Sequence, residues 1–154
     1  MNTREPERGD EVSLREITAE TVNAVLALRV AESQRKMVAE NARSIAQAHF
    51  SPYAWFRAVY AAEVPVGFVQ LYLDAEKEEY EVWRFMIDAR YQRLGFGRRA
   101  LELAIEHVRS TTTARELLLG VAQEEGHAQP FYARFGFEPT GEIHEGEVIM
   151  RLVL

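Results

Sequence analysis

Tyr91-Gln92-Arg93-Leu94-Gly95-Phe96-Gly97-Arg98-Arg99 is the stretch of this chain best equipped for chemistry. Gly95 and Gly97 lack a Cβ, so the main chain there can turn its N–H groups inward onto a bound anion. A helix starting at Phe96 or Gly97 would aim the positive end of its dipole at the same point. Phosphate suits such a seat, because its several oxygens can satisfy several donors at once. Arg90, Arg93, Arg98 and Arg99 add positive charge around it. Gly95-x-Gly97-x-x-Ala100 also fits the dinucleotide-binding fingerprint. That fingerprint normally opens a long series of parallel βαβ units, and too little chain follows here. A glycine turn with no ligand is the plain alternative.

The formal charge is −6, from 18 Lys and Arg against 24 Asp and Glu. An acidic chain is a poor partner for nucleic acid, whose binding depends on basic patches. Acids gather at Asp74, Glu76, Glu78, Glu79 and Glu81, and again from Glu138 to Glu147. Acidic rims for a cationic substrate could thus flank the basic turn, with solvated loops as the alternative reading. Cysteine is absent, which excludes disulfides, a thiolate nucleophile and Cys-ligated metal, and agrees with a reducing, cytoplasmic setting. His49, His107, His127 and His144 lack metal-ligand spacing, so no metal is expected. No G-x-S-x-G elbow supports a hydrolase triad. The charged start has no apolar core of a signal peptide, and no run approaches the ~18–20 apolar residues of a membrane helix.

Stepping outward along the chain, residues 1–11 read as a mobile tail and 12–154 as one domain. Val12–Ile17 alternates as a strand, and Thr18 caps a helix with Val22, Val25 and Leu26 on its stripe, running to about Leu28. A second helix spans Val38–His49, with Ile45, Ala48 and His49 on one side. Trp55–Ala62 and Val66–Asp74 form a hairpin around Glu63-Val64-Pro65. Tyr80–Asp88 is an aromatic and β-branched strand. Leu101, Ala104, Ile105 and Val108 give the next helix its apolar face at i, i+3, i+4, i+7. Glu116–Val121 is a short buried strand and Gln129–Arg134 a short helix. Phe137–Gly141 and Glu147–Leu154 close as strands. The order β-α-α-β-β-β-α-β-α-β-β implies an α/β (mixed α+β) fold on one mostly antiparallel sheet flanked by helices.

The turn extends into a longer pattern. Val82-Trp83-Arg84-Phe85-Met86-Ile87-Asp88-Ala89-Arg90-Tyr91-Gln92-Arg93-Leu94-Gly95-Phe96-Gly97 closely resembles the central motif of the GCN5-related N-acetyltransferases, the GNAT family. Their [RQ]-x-x-G-x-[GA] is filled by Gln92, Gly95 and Gly97. Further on, Phe131-Tyr132-Ala133-Arg134-Phe135-Gly136-Phe137 resembles the family's F-Y-x-x-x-G-F motif. Trp83-Arg84-Phe85-Met86-Ile87-Asp88, with the ending Gly141-Glu142 and Gly146-Glu147, is most similar to the spermine/spermidine or diamine acetyltransferase branch.

The resemblance implies acetyl-CoA as cosubstrate. It implies that main-chain groups at Phe85, Met86 and Ile87 pair with the pantetheine arm. Gln92, Arg93, Leu94, Gly95, Phe96, Gly97 and Arg98 are then placed to receive the pyrophosphate on their N–H groups. Tyr132 matches the tyrosine that protonates the departing CoA thiolate, and a homodimer would follow family habit. Two positions depart from the pattern. Gly126-His127-Ala128-Gln129-Pro130 stands where many members place an Asn on the CoA arm. Trp83 stands where several polyamine acetyltransferases carry a glutamate base.

An alkylammonium with a pKa near ~10.4 needs about 4.6 kcal/mol to deprotonate at pH 7, so a base is required. Glu81 is the first candidate, since strand alternation sets it on the face of Trp83 and Phe85. Glu32 and Glu40, in the first helical region, could hold a cationic substrate, and Trp83 could wall its slot. The expected activity is acetyl transfer to a primary amine by direct attack, with a polyamine or diamine as the preferred small-molecule acceptor. Other small amines, a protein N-terminus and a non-catalytic acyl-CoA-binding module are the alternatives.

Overall fold

The computed structural model describes residues 3–34, 39–123 and 128–154. Its elements, in chain order, are β1 (Val12–Arg15), α1 (Val22–Leu26), α2 (Asn41–His49), β2 (Ala54–Ala61), β3 (Val64–Asp74), β4 (Glu79–Ile87), α3 (Phe96–Thr111), β5 (Glu116–Ala122), α4 (Ala128–Ala133), β6 (Glu138–His144) and β7 (Glu147–Val153). They build one seven-stranded sheet in the order β1-β2-β3-β4-β5-β7-β6. Every neighbouring pair is antiparallel except β4 and β5, which are parallel and joined through α3. This is the mixed, mostly antiparallel α/β architecture expected from the sequence.

Two apolar layers cover the sheet. On one face α3 lays Phe96, Ala100, Leu101, Ala104, Ile105 and Val108 over Val69, Leu71, Val82, Leu117 and Leu119. On the other, Val25 and Leu28 of the α1 region pack with Ala58, Tyr60, Phe68 and Met86. Asn41, almost fully buried at the start of α2, joins the two short helices by donating from Nδ2 to the Val25 carbonyl at 2.9 Å.

Tertiary contacts decide several local details differently from the sequence pattern. Thr18 does not cap α1; its carbonyl accepts from the N–H groups of Thr21 and Val22, forming a turn before the helix begins at Val22. The buried face of α2 is Asn41, Ser44 and Ala48 with Ile45 beside them, while His49 is exposed against the Phe50 ring. Ala62 and Glu63 alone make the β2–β3 turn, Ala62 taking φ +51, and Val64 and Pro65 already pair with Ala61 and Tyr60. A register shift between Val59 and Tyr60 makes room for the proline in that ladder.

The segment ahead of β1 is joined to the rest. Pro6 is buried, Arg4 pairs with Asp10 at 2.7 Å, and the Ala62 N–H donates to the Glu11 carbonyl at 2.8 Å. No helix among the described residues is long and apolar enough to cross a membrane.

Candidate active site

β4 pairs with β3 along its length but meets β5 only at Glu81–Leu118 and Val82–Leu119. Beyond Val82 the parallel strands part. The β5-facing edge of β4 from Trp83 to Ile87, Phe85 and Met86 included, therefore carries no ladder. The Trp83 and Ile87 carbonyls accept from the Arg84 and Gln92 side chains, and the other main-chain groups of this edge, outside any ladder, suit an extended ligand with amides of its own, which can bind as an added strand.

The anion seat lies at the end of that edge. Asp88, nearly buried, accepts from the Arg90 N–H and closes the turn Ala89–Tyr91. It also accepts from the Arg90 guanidinium and the Arg29 N–H. Burial acts to raise its carboxyl pKa, but these donors outweigh it and the pKa is lowered. Arg93 then takes φ +66 and Gly95 φ +89, with Leu94 between them at ordinary sign. Such alternation turns successive N–H groups toward one side. The N–H groups of Arg93, Leu94 and Gly95 find no acceptor among the described residues, and no side chain caps α3. The cradle suits a diphosphate.

Side chains around the cradle divide their work. Gln92 faces away from the anion: its Nε2 donates to the Ile87 carbonyl and to Gln34 Oε1, both at 2.9 Å, bracing the loop against β4. Phe96 is buried beneath α3, and Leu94 packs on the same core. Arg98 and Arg99 both reach back to Glu102, at 3.3 and 3.2 Å. Gly97 is a packing position, where a Cβ would lie 3.4 Å from Ile87 Cγ1 and 3.8 Å from the rings of Phe85 and Phe131.

A bulge re-sorts the side chains of β4. Leu71 pairs with Val82 and Gln70 with Arg84, which leaves Trp83 as the extra residue. Val82, Phe85 and Ile87 consequently face α3, and Met86 faces α1. Glu81 lies opposite Val82 in facing, so it does not share the face of Phe85; alternation fails at the bulge. It shares its face with Trp83, whose ring meets Tyr72 edge-on at 6.3 Å, and with Arg84, which donates to Gln47 Oε1 at 3.2 Å.

That face is acidic at its margin and polar beneath. Glu81 is exposed, yet crowding raises its pKa, first through lost hydration and then through Glu79 and Glu147, with Arg84 opposing. Glu147 opens β7 and lies across Gly120 of β5, whose missing side chain makes the room. Under α2, Ser44 Oγ, Arg84 Nε and both side-chain polar atoms of Gln70 are buried without a partner. Buried polar groups are nearly always satisfied, so these four atoms call for water or another polar partner. Among the described residues no acid or histidine cluster has a metal-holding arrangement.

Tyr132 sits on α4 in an aromatic row. Phe131 stacks on Phe85 at 6.3 Å, and Tyr132 meets Phe131 at 5.1 Å and Phe137 at 6.0 Å. Burial pushes its phenol pKa up to about 12, so the group stays protonated and able to donate. Its hydroxyl makes no hydrogen bond among the described residues. Glu32 and Glu40 are exposed. Glu40 borders a cavity of about 60 Å³ with Asn41, Arg29 and Met86, and Glu32 lies in the short turn Glu32–Gln34. His127 lies outside the described residues.

Gln70 lies on the polar face beside Arg84 and was not named in the sequence reading, and Glu147, Arg84 and Asp88 were named there only within a rim or a motif and given no role. Only Gly120, a glycine inside an apolar strand, hinted at a close approach of this kind.

The parting of β4 and β5, the turn with unpaired N–H groups at the end of β4 and the half-buried phenol of Tyr132 lie close together, linked by the Phe85–Phe131 stack and Gly97. The chain belongs to the acetyltransferase (GNAT) family, whose pattern matches residues 17–137; it is thereby an acetyl-CoA-dependent N-acetyltransferase by class. It is 28% identical over 146 residues to the spermine/spermidine N(1)-acetyltransferase of Bacillus subtilis (strain 168), covering 90% of this chain and 96% of that protein. Its fold matches the PaiA N-acetyltransferase of Thermoplasma acidophilum, solved with coenzyme A, at a TM-score of 0.71 and 15% identity, over 94% of this chain and 99% of that one. The ribosomal-protein-S18-alanine N-acetyltransferase of Escherichia coli matches with the same TM-score at 17% identity, over 93% and 94% of the two chains.

Proposed function

We propose that this protein acetylates a primary amine of a small linear polyamine or diamine. The observation that carries the reading is the acidic margin of the acceptor face, Glu79, Glu81 and Glu147, beside the unladdered edge of β4. The likeness to the Bacillus polyamine enzyme supports it.

In this reading the pantetheine arm pairs with main-chain groups at Phe85, Met86 and Ile87, and the diphosphate rests on the N–H groups from Gln92 to Arg98. Glu81 takes the ammonium proton, directly or through water, so that the neutral amine attacks the thioester carbonyl. The new C–N bond forms as the C–S bond breaks; Tyr132 gives its proton to the leaving thiolate and recovers one, directly or through water, from the nitrogen, which sheds its second proton as it becomes the amide, while the proton held by Glu81 passes to solvent. Trp83 and Glu40 border the acceptor's path, and Glu32 sits further out to attract its second charge. A cysteine-free chain forms no acyl-enzyme through a thiolate, and a cytoplasmic setting and a homodimer belong to the same proposal.

One observation favours a second reading. Arg84 presents a buried, unpartnered Nε on the acceptor face, which suits an amine that also carries a carboxylate.

The test is CoA thiol release from acetyl-CoA with spermine, spermidine, putrescine, amino acids and a peptide N-terminus. Preference for the linear polyamines is expected. Preference for an amino acid selects the second reading, and turnover of none of these amines overturns both.

A further inference from the structure

We propose that Arg8, outside the acetyltransferase core, positions the peptide of the anion cradle and so sets affinity for the diphosphate of CoA. The inference rests on reading the Arg93–Arg98 loop as the diphosphate seat. Arg8 Nη2 donates to the Arg93 carbonyl at 2.6 Å, across 85 positions of sequence. Arg93 is the one cradle residue that takes a left-handed φ, +66, without being glycine. A side chain at that φ is unfavourable, so the conformation needs support from outside the loop.

The peptide plane explains what the bond achieves. In a trans peptide the carbonyl of Arg93 and the N–H of Leu94 point in opposite directions. A guanidinium that fixes the carbonyl on one side therefore holds the Leu94 N–H on the other. That N–H has no acceptor among the described residues and belongs to the cradle. Without Arg8 the plane is free to flip, and the seat would lose one of its donors.

Arg8 is itself held in place. Asp10 accepts from the Glu7 N–H at 2.8 Å and from Arg4 at 2.7 Å, and the Asp10 N–H returns to the Glu7 carbonyl. Gly9 completes this turn at φ +94, Pro6 is buried, and Glu11 is tied to Ala62 at the edge of the sheet. The segment thus presents the guanidinium from a built turn.

Arg8→Ala separates this role from others through three ligands: CoA, dephospho-CoA and pantetheine, with affinities measured by calorimetry or competition. Loss of one hydrogen bond to a charged group predicts about ten- to a hundredfold weaker binding of CoA and dephospho-CoA. Pantetheine, which lacks the diphosphate, should bind the variant and the parent equally, and the ligand-free melting temperature should not move. Weakening of CoA alone would mean that Arg8 touches the 3′-phosphate directly and would overturn the proposal. Equal loss with all three ligands, or with none, would also overturn it. Failure of the parent protein to bind CoA would instead remove the reading of the cradle itself.

Discussion

The carboxylate of Glu147 occupies the space a side chain on Gly120 would need: a Cβ built there lies 2.5 Å from Glu147 Oε2. Gly120 is extended strand, so alanine brings no backbone strain and must instead displace Glu147. Gly120→Ala should leave the melting temperature nearly unchanged while kcat/KM for the amine falls about tenfold, the scale of one lost charged hydrogen bond. Glu147→Gln should reproduce the loss. Full activity in both variants would show that Glu147 does not face the acceptor.

The acid limb of the pH–rate profile reports the proton acceptor. Glu81 must be ionised to take a proton, and lost hydration with the charges of Glu79 and Glu147 raises its pKa. Removing a negative neighbour lowers that pKa, so Glu147→Gln should move the acid limb to lower pH. Arg84→Gln removes the opposing cation and should move it to higher pH. The measurement is kcat/KM for the amine from pH 4.5 to 8. A limb that stays fixed in both variants would assign the base elsewhere.

The outline of the fold was legible because each element carries its own signal, such as the Leu101, Ala104, Ile105 and Val108 stripe of α3. The turn was legible only in part: Gly95 marks a backbone demand at φ +89, whereas Gly97 is a packing position with no unusual φ and the second left-handed residue is Arg93, which its type does not announce. The faces of β4 were not. Alternation placed Glu81 with Phe85, and the bulge at Trp83 arises from pairing with Gln70 and Leu71 of β3, which is not encoded locally. Glu147 was read only as one acid of a rim and Arg8 only as part of a tail, since each meets a residue far away in the chain. Tertiary partners, not residue types, decide such positions.

The two loop glycines should respond differently to alanine. Gly95 holds φ +89 with open space around it, so Gly95→Ala incurs the left-handed penalty of about 1–2 kcal/mol and should weaken CoA binding. Gly97 needs no unusual φ, and its new Cβ would make ordinary contacts with Ile87, Phe85 and Phe131. Gly97→Ala should therefore keep both stability and affinity. Melting curves with and without CoA check both; equal damage would mean that Gly97 also serves close ligand approach.

His107 on α3 stacks on Trp55 of β2 at 4.0 Å, with Arg57 over the same indole at 4.5 Å. Lost hydration, then Arg57, lowers its pKa below the ordinary 6.5. The unfolded chain thus binds this proton more readily, and stability should fall as pH drops through about 6.5 toward the lowered folded value. His107→Gln should flatten the melting temperature across that window, relative to the parent, and an unchanged slope would reject the assignment.

Tyr132 differs from the other ionisable groups of the site in having burial as the sole cause of its shift, to about 12. A phenol that holds its proton so firmly stays neutral across the working pH range and donates only as the C–S bond breaks and negative charge gathers on the sulfur. Tyr132→Phe removes the donor and leaves the ring contacts with Phe131 and Phe137, so the fold should persist. We expect kcat to fall by about 10²-fold or more, the usual scale for losing a general acid, with the KM for acetyl-CoA nearly constant. The parent should show no basic limb from this residue below about pH 11. A limb near pH 8–9 that vanishes in Tyr132→Phe would mean that the phenol ionises during turnover and acts as a base, and the acid role would fall.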